Sequence, residues 1–403
     1  MFTRQKPREA NSEQVLRTIL REGPLARIAL AQHTGLTTAA ISNITRELIE
    51  HSLLREVGTS RSNRVGANAI LLDLPEDAPI IGAVHQGVSA LRIALCTLRG
   101  RVIAQRVIAT PNRYSPEWAV MTIVRTLGEL LRTRGYADEA LVGIGVGVVG
   151  LVDIKRGFVK RAPSLGWEDV PLCDLLSEQL HLPIAIENNV RAMAFGEALL
   201  GKGRAWSDFA FVYVGTGIGA GLIIDGRLYR GVHGGAGEIG HITVDPAGKM
   251  CACGNRGCLE TIAAEPAIIR NARAQGIVLD TLEGRPKEVV HALVSLVRTR
   301  EKAACEVVKN CGESLGIALA ILVDIFNPSR IVLHGTITEA GEIFFSSAAH
   351  SLQQHAFLTK DETVELVAPT FGDDSGLVGA AAVALDAVVL NGGMREIAGA
   401  ARV

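Results

Sequence analysis

The segment Asp208–Gly231, "DFAFVYVGTGIGAGLIIDGRLYRG", decides the fold. An apolar run stops at closely spaced glycines and a second apolar run follows, which reads as strand, glycine turn, strand. The theme has a counterpart about 130 residues upstream, in "PIIGAVHQGVSALRIALCTLRGRVIAQRVIA" at 79–109, which reads as strand, turn, strand, turn, strand. An amphipathic segment at 116–135 and the strand "ALVGIGVGVVGLVD" at 140–153 follow that block. Strands alternating with helices imply an α/β architecture. Two such units at this separation suggest two related lobes facing a cleft. The last third reads as helical, at roughly 266–276, 286–326 and 375–390, with one strand, "RIVLHG".

The chain has 403 residues, 48% hydrophobic and 21% charged, which describes a well-packed protein of two or three domains. No uninterrupted apolar stretch reaches 18 residues, so no membrane span is expected. The start, "MFTRQKPREANSEQ", is polar and lacks an apolar signal core, which points to the cytoplasm. Net charge is −1 but uneven: residues 1–64 hold ten Lys/Arg against six Asp/Glu, whereas the rest holds 31 against 36. A basic head on an acidic body hints at an anionic partner for the head alone.

The head carries its own pattern. "NSEQVLRTILR", Asn11–Arg21, places Val15, Leu16, Ile19 and Leu20 at helical spacing, with Asn11 or Ser12 available as N-cap. Gly23-Pro24 stops that helix. Leu25–Thr34 reads as a second helix, Gly35 permits a turn, and Thr37 caps a third running to about His51. Ile41, Ile44 and Leu48 fall on one face of the third, and Thr37, Thr38, Ser42, Asn43 and Arg46 are left for a partner. Two helices joined by a glycine turn match a helix-turn-helix, whose second helix enters the major groove. "LLREVGTSRSNRVGANAILLDL" then gives two strand-like runs around a basic tip, a wing that places Arg61 and Arg64 to reach phosphate or a minor groove. Operator DNA is the expected partner of this head.

The sharpest chemical signal is "GHITVDPAGKMCACGNRGCLE", residues 240–260. His241, Cys251, Cys253 and Cys258 supply one imidazole and three thiols, enough for a closed tetrahedral zinc site. Gly254 and Gly257 let the loop fold back on itself. With four protein ligands no position remains for water, so one structural zinc per chain is expected. Glu238 stands three residues before His241, and Glu260 two after Cys258. Two carboxylates and a histidine with a second ring nitrogen to offer suit the vicinal hydroxyls of a sugar. In "LPIAIENNVRA", 182–192, an apolar strand ends in Glu187, Asn188 and Asn189, where α/β folds place ligands.

"VGTGIGAGLIIDGRLYRGVHGGAGEIGH", the cysteine loop after it and "IENNVRA" before it closely resemble the ROK family of repressors and sugar kinases, and with the head the chain resembles its repressor branch. The resemblance spans residues 11 to about 390. It implies a winged helix-turn-helix followed by a two-lobed, actin-like ATPase (sugar-kinase) fold, a sugar in the cleft, and a homodimer or homotetramer. By matching position it implies sugar-binding roles for Asn188, Glu238, His241 and Glu260, with Asn189 beside them, and zinc ligation for the His/Cys set. The domains expected are 1–73 for the head, 79–195 with a C-terminal helix at about 385–403 for the smaller lobe, and 196–384 for the larger.

Departures from the kinase pattern separate the branches. The kinases end their first strand in Asp-x-Gly-Gly-Thr; this chain has His85-Gln86-Gly87-Val88-Ser89. The acidic residue is gone, and Val88 stands where backbone should approach phosphate. The kinases' catalytic Asp is here Asn189, and a carboxamide cannot serve as general base. Their C-terminal Gly-Gly turn is here His334-Gly335-Thr336. The wing lacks the family's Gly-Arg-Pro and reads "SNRVGAN". The expectation is a sugar-responsive, DNA-binding repressor with no ATP requirement. The alternatives are an active kinase with an appended head, or a regulator controlled by a protein partner.

Overall fold

The computed structural model describes residues 7–60, 69–111, 113–279, 286–357 and 363–390. The head contains α1 (Pro7–Glu22), β1 (Leu25–Ala26), α2 (Arg27–Thr34), α3 (Thr38–Glu50), β2 (Arg55–Ser60) and β3 (Ala69–Asp73). Helix α1 begins upstream of Asn11, so neither Asn11 nor Ser12 is its N-cap; Ser12 is buried within the helix. Leu25 and Ala26, expected as helix, pair instead with Leu72 and Leu71 of β3. The turn forms as read: Gly35 takes φ 70 and its N–H donates to the Ala31 carbonyl. The Thr37 hydroxyl accepts the Ala40 N–H at 3.2 Å and caps α3, which buries Ile41, Ile44 and Leu48. Strands β2 and β3 pair antiparallel as the wing, and its tip with Arg61 and Arg64 lies outside the described residues.

The chain divides into two units, residues 1–204 with 373–403 and residues 205–372. After the head, the first unit holds β4 (Ile80–Gln86), β5 (Ala90–Thr97), β6 (Val102–Ala109), α4 (Pro116–Arg134), β7 (Leu141–Val148), β8 (Leu151–Asp153), β9 (Phe158–Ala162), β10 (Trp167–Val170), α5 (Leu172–Leu180), β11 (Ile184–Asn188) and α6 (Asn189–Leu200). The single strand expected over 140–153 is two, β7 and β8, which belong to different sheets. The main sheet has the order β11-β7-β4-β5-β6, with β11, β7 and β4 parallel. On one face Ile80, Val84 and Ile93 pack with Ile123 and Leu127 of α4. On the other, Ile81, Ala83, Ala94 and Cys96 share one core with Val15, Leu16 and Ile19 of α1 and with the C-terminal helix Ser375–Ala384.

Two expectations about domains are corrected here. The head shares that core and so belongs to the first unit rather than standing apart as 1–73. The unit boundaries fall after Arg204 and Gly372, not after 195 and 384. The cause is the packing of α6 on the C-terminal helix. A Cβ on Gly196 would come 2.8 Å from the Gly379 Cα, and one on Gly379 would come 2.5 Å from the Ala192 carbonyl. Backbones that close hold both helices in one body.

In the second unit stand β12 (Phe209–Val214), β13 (Ile218–Ile224), β14 (Arg227–Tyr229), α7 (Glu260–Ala263), α8 (Glu265–Ala274), α9 (Pro286–Arg298), α10 (Lys302–Phe326), β15 (Arg330–His334), α11 (Glu342–His355) and β16 (Glu365–Val367). The order is β14-β13-β12-β15-β16; β12 is antiparallel to β13 and parallel to β15. The helix expected over 286–326 is broken at Arg300, which takes φ 61, and Glu301 caps α10 by accepting the Ala304 N–H. Helix α11 and strand β16 were not expected. Among the described residues no helix is long and apolar enough to cross a membrane.

The contact between α6 and the C-terminal helix has no room for a side chain at Gly379. Gly379→Val should lower stability by about 1–3 kcal/mol or more, read as a lower urea midpoint; an unchanged midpoint would show that the helices can separate at little cost.

Candidate functional site

Helix α3 presents Thr37, Thr38, Asn43 and Arg46 to solvent, with Ser42 half-exposed beside them. The Ser42 hydroxyl donates to the Thr38 carbonyl at 2.8 Å, so its remaining capacity is as an acceptor. Behind the helix, Arg27 donates to the buried Thr45 hydroxyl at 3.1 Å and to Glu56 of β2 at 3.3 Å. That arginine ties α2, α3 and the wing into one arrangement. What faces outward is a guanidinium, an amide and two hydroxyls on a rigid helix, groups that read base edges and hold phosphates.

In the second unit the four expected metal donors converge. The ligand atoms of His241, Cys251, Cys253 and Cys258 all lie within 4.8 Å of one another. Cys253 and Cys258 are 3.6 Å apart, and Cys251 Sγ is 3.7 Å from His241 Nδ1. Tetrahedral zinc with bonds of about 2.0–2.3 Å needs donors about 3.5–3.8 Å apart, so the set fits. Gly254 and Gly257 take φ 95 and 70, and the Gly257 carbonyl accepts from Val244 and Asp245, which closes the loop as read. The exposed Cys253 thiol is held below its ordinary pKa, chiefly by the Asn255 backbone N–H, and is already inclined to the thiolate that zinc requires.

The cluster fixes the carboxylates around it. Glu238 and His241 share one tight turn, in which the His241 N–H donates to the Glu238 carbonyl at 3.2 Å. Nδ1 of His241 is the nitrogen nearest the thiols, which leaves Nε2 for another partner. Glu260 opens α7 and accepts the Ile218 N–H at 2.8 Å through Oε1, bridging the cysteine loop to the glycine turn after β12. Its second oxygen remains for a ligand hydroxyl. A third carboxylate, Glu265, went unread in the sequence. It is 4% exposed, and burial pushes its pKa up to about 7, offset in part by the Thr336 hydroxyl and by Lys287. A lone acid in the apolar run "TIAAEPAII" was the signal that could have found it.

Asn188 and Asn189 belong to the first unit. The Asn188 Oδ1 accepts from the N–H groups of Val190 and Arg191 and so caps α6, while Nδ2 donates to the Gly150 carbonyl at 3.0 Å. One Nδ2 hydrogen is what Asn188 has left to offer, a narrower role than the sequence suggested. Glu187 is not available at all: it is 1% exposed, pairs with the equally buried Arg191 at 2.9 Å, and accepts the Asn188 N–H. The i, i+4 spacing in "ENNVR" was the sequence signal for that pair. Asn189 is mostly buried at the first turn of α6. His85, next to last in β4, lies against Gly376, where a Cβ would come 2.5 Å from the imidazole; Val88 sits in the following hairpin, its carbonyl accepting the Thr110 hydroxyl.

Residues 81–387 match the ROK family model. The chain is 30% identical over 383 residues to a putative xylose repressor of Caldicellulosiruptor sp. strain Rt8B.4, covering 94% of this chain and 96% of that one. It is 31% identical over 357 residues to the DNA-binding transcriptional dual regulator NagC of Escherichia coli K12, covering 87% and 86%. Among solved structures, a ROK family transcriptional regulator homologous to the E. coli MLC protein matches with a TM-score of 0.83 at 27% identity, over 97% of this chain and 98% of its own. A ROK family glucokinase from Streptomyces griseus, in complex with glucose and AMPPNP, matches with a TM-score of 0.65 at 27% identity, over 75% of this chain and 98% of its own.

Cys253→Ser should reduce bound zinc from one per chain to well below one, measured by elemental analysis after dialysis; full retention would mean that the ligand set is wrong. Glu265 has a definite pH signature. Its folded pKa lies above its ordinary value of 4.5, so the native state holds a proton that the unfolded state releases. The stability this provides is present at low pH and lost between about pH 4.5 and 7, by about 3 kcal/mol in all. Glu265→Gln escapes that loss, so its melting-temperature advantage over the native chain should widen from pH 5 to pH 8. A gap that does not change with pH would contradict the assignment.

Proposed function

The chain belongs to the ROK family, and from that premise we propose that it is a sugar-responsive transcriptional repressor that holds its effector without phosphorylating it. The observation that carries this reading is how far each likeness extends. The regulators match 87–97% of the chain, whereas the glucokinase, nearly entire, occupies 75% of it. In this reading α3 enters the major groove with Thr37, Thr38, Ser42, Asn43 and Arg46, and the wing brings Arg61 and Arg64 to the backbone or minor groove. Zinc on His241, Cys251, Cys253 and Cys258 is structural. When bound, it supplies the closed tetrahedral anchor that fixes the loop carrying Glu238 and Glu260.

The effector is a sugar whose hydroxyls donate to Glu238 and Glu260 and meet Nε2 of His241. Phosphoryl transfer requires a base, and Asn189 cannot accept the proton. His85 and Val88 stand where a kinase holds metal and phosphate. A homodimer reads two half-sites about one helical turn, roughly 34–36 Å, apart or a multiple of that. The protein works in the cytoplasm, where the DNA is. Sugar regulates binding by favouring one arrangement of the dimer over another, which requires unequal affinity for the two.

The kinase reading has the glucokinase structure in its favour and is tested directly. Native protein incubated with MgATP and glucose, xylose or N-acetylglucosamine should show no turnover; rates on the order of 1–100 per second would overturn the proposal. For the DNA face, an operator is first selected from a random duplex pool. Arg46→Ala should then bind it about tenfold or more weakly with its melting curve unchanged, and equal affinity would remove Arg46 from the reading face.

A further inference from the structure

Strands β12 and β15 run parallel, with Phe209 opposite Arg330 and Tyr213 opposite His334, so their carboxyl ends lie together. Each end turns on glycine, at Gly215-Thr216-Gly217 and at Gly335-Thr336. Gly335 takes φ 136, and a Cβ there would come 1.9 Å from the Val214 carbonyl oxygen, so the two turns are in contact. The crevice outside the carboxyl ends of parallel strands is where α/β folds bind ligands, and bare glycine backbone is what lets phosphate approach.

In this chain that place is taken by a carboxylate. The Glu265 N–H donates to the Gly215 carbonyl at 2.8 Å, fixing the start of α8 on the first turn. Its Oε1 accepts the Thr336 hydroxyl at 3.4 Å, reaching the second. The side chain is almost wholly buried, so it fills the volume between the turns rather than lining an open one. We propose that the Glu265 side chain is a built-in plug that occupies the phosphate position of the second unit and makes this chain unable to bind nucleoside triphosphates. A polyphosphate brought to these turns meets a buried carboxyl, which also repels it wherever that carboxyl is ionised, above about pH 7. It must also displace a side chain anchored at both ends. The inference rests on the reading of the chain as a family member that does not phosphorylate, and it adds a residue that no loss of catalytic base would explain: Asn189 removes a reaction step, whereas Glu265 removes the co-substrate.

The test is calorimetric titration of MgATP and of AMPPNP into the full-length, zinc-loaded native chain, Glu265→Ala and Glu265→Gln. The native chain should show no saturable binding at millimolar nucleotide. Glu265→Ala should gain it, at least about tenfold tighter than the native limit. Glu265→Gln keeps the side-chain volume and the Thr336 bond, so at about pH 8, where the native carboxyl is ionised, a gain there adds charge to the effect and covers the case in which the alanine variant fails to fold. Equal binding by the native chain and the variants overturns the proposal, as does absence of binding in all three. Operator binding by the same samples is read separately: its retention with a failed nucleotide result sinks the Glu265 assignment alone, whereas its absence in the native chain sinks the repressor reading.

Discussion

One face of the first unit's sheet is covered by the N-terminal head and the C-terminal helix, and the arrangement of the rest depends on that joint. Ile81, Ala83, Ala94, Cys96 and Leu98 are apolar and buried, and α1 with the C-terminal helix is what buries them. Burial of this kind holds two elements together without fixing their register; here arginines fix it. The last carbonyls of a helix lack partners within it. Those of Ile19 and Leu20 accept from Arg99, and those of Leu20 and Arg21 accept from Arg204. Arg99 also pairs with Asp73 of the wing, and Arg17 of α1 pairs with Asp386. The head therefore follows the first unit as one body. Arg204, which holds the end of α1, is the last residue before the chain passes into the second unit.

Head and sheet need no separate hinge, because a shift in the first unit carries α1 with it. What regulation does require is unequal affinity of the effector for two arrangements of the protein. The four donors of the His/Cys loop lie close enough to share one metal ion, and Glu238 and Glu260 flank that loop in the chain.

Much of this was legible in the residues. The strand–glycine–strand units, the cysteine loop and the capped third helix were readable because each depends on local rules: period, turn chemistry and ligand spacing. The misreadings have tertiary causes. Helix α1 starts at Pro7, ahead of its apolar stripe, and proline is suited to a first helical position. Leu25 and Ala26 gave up helix for pairing with β3. The break at Arg300 has no glycine or proline to mark it. The head could not be seen as part of the first lobe, since nothing local to either shows that their apolar faces meet. At the site, Asn188 was legible as a polar strand end, but its duty as helix cap was not, and Glu265 acquired meaning only when two distant turns closed around it.

The central claim is that a sugar bound without chemistry changes the hold on DNA. The most direct measurement is calorimetric titration of xylose, glucose and N-acetylglucosamine into the zinc-loaded protein, once alone and once saturated with its operator. The account predicts saturable binding of one sugar, with a dissociation constant that differs between the two conditions by the same factor by which that sugar changes operator affinity. A sugar that binds equally in both, or no sugar binding at all, would contradict it.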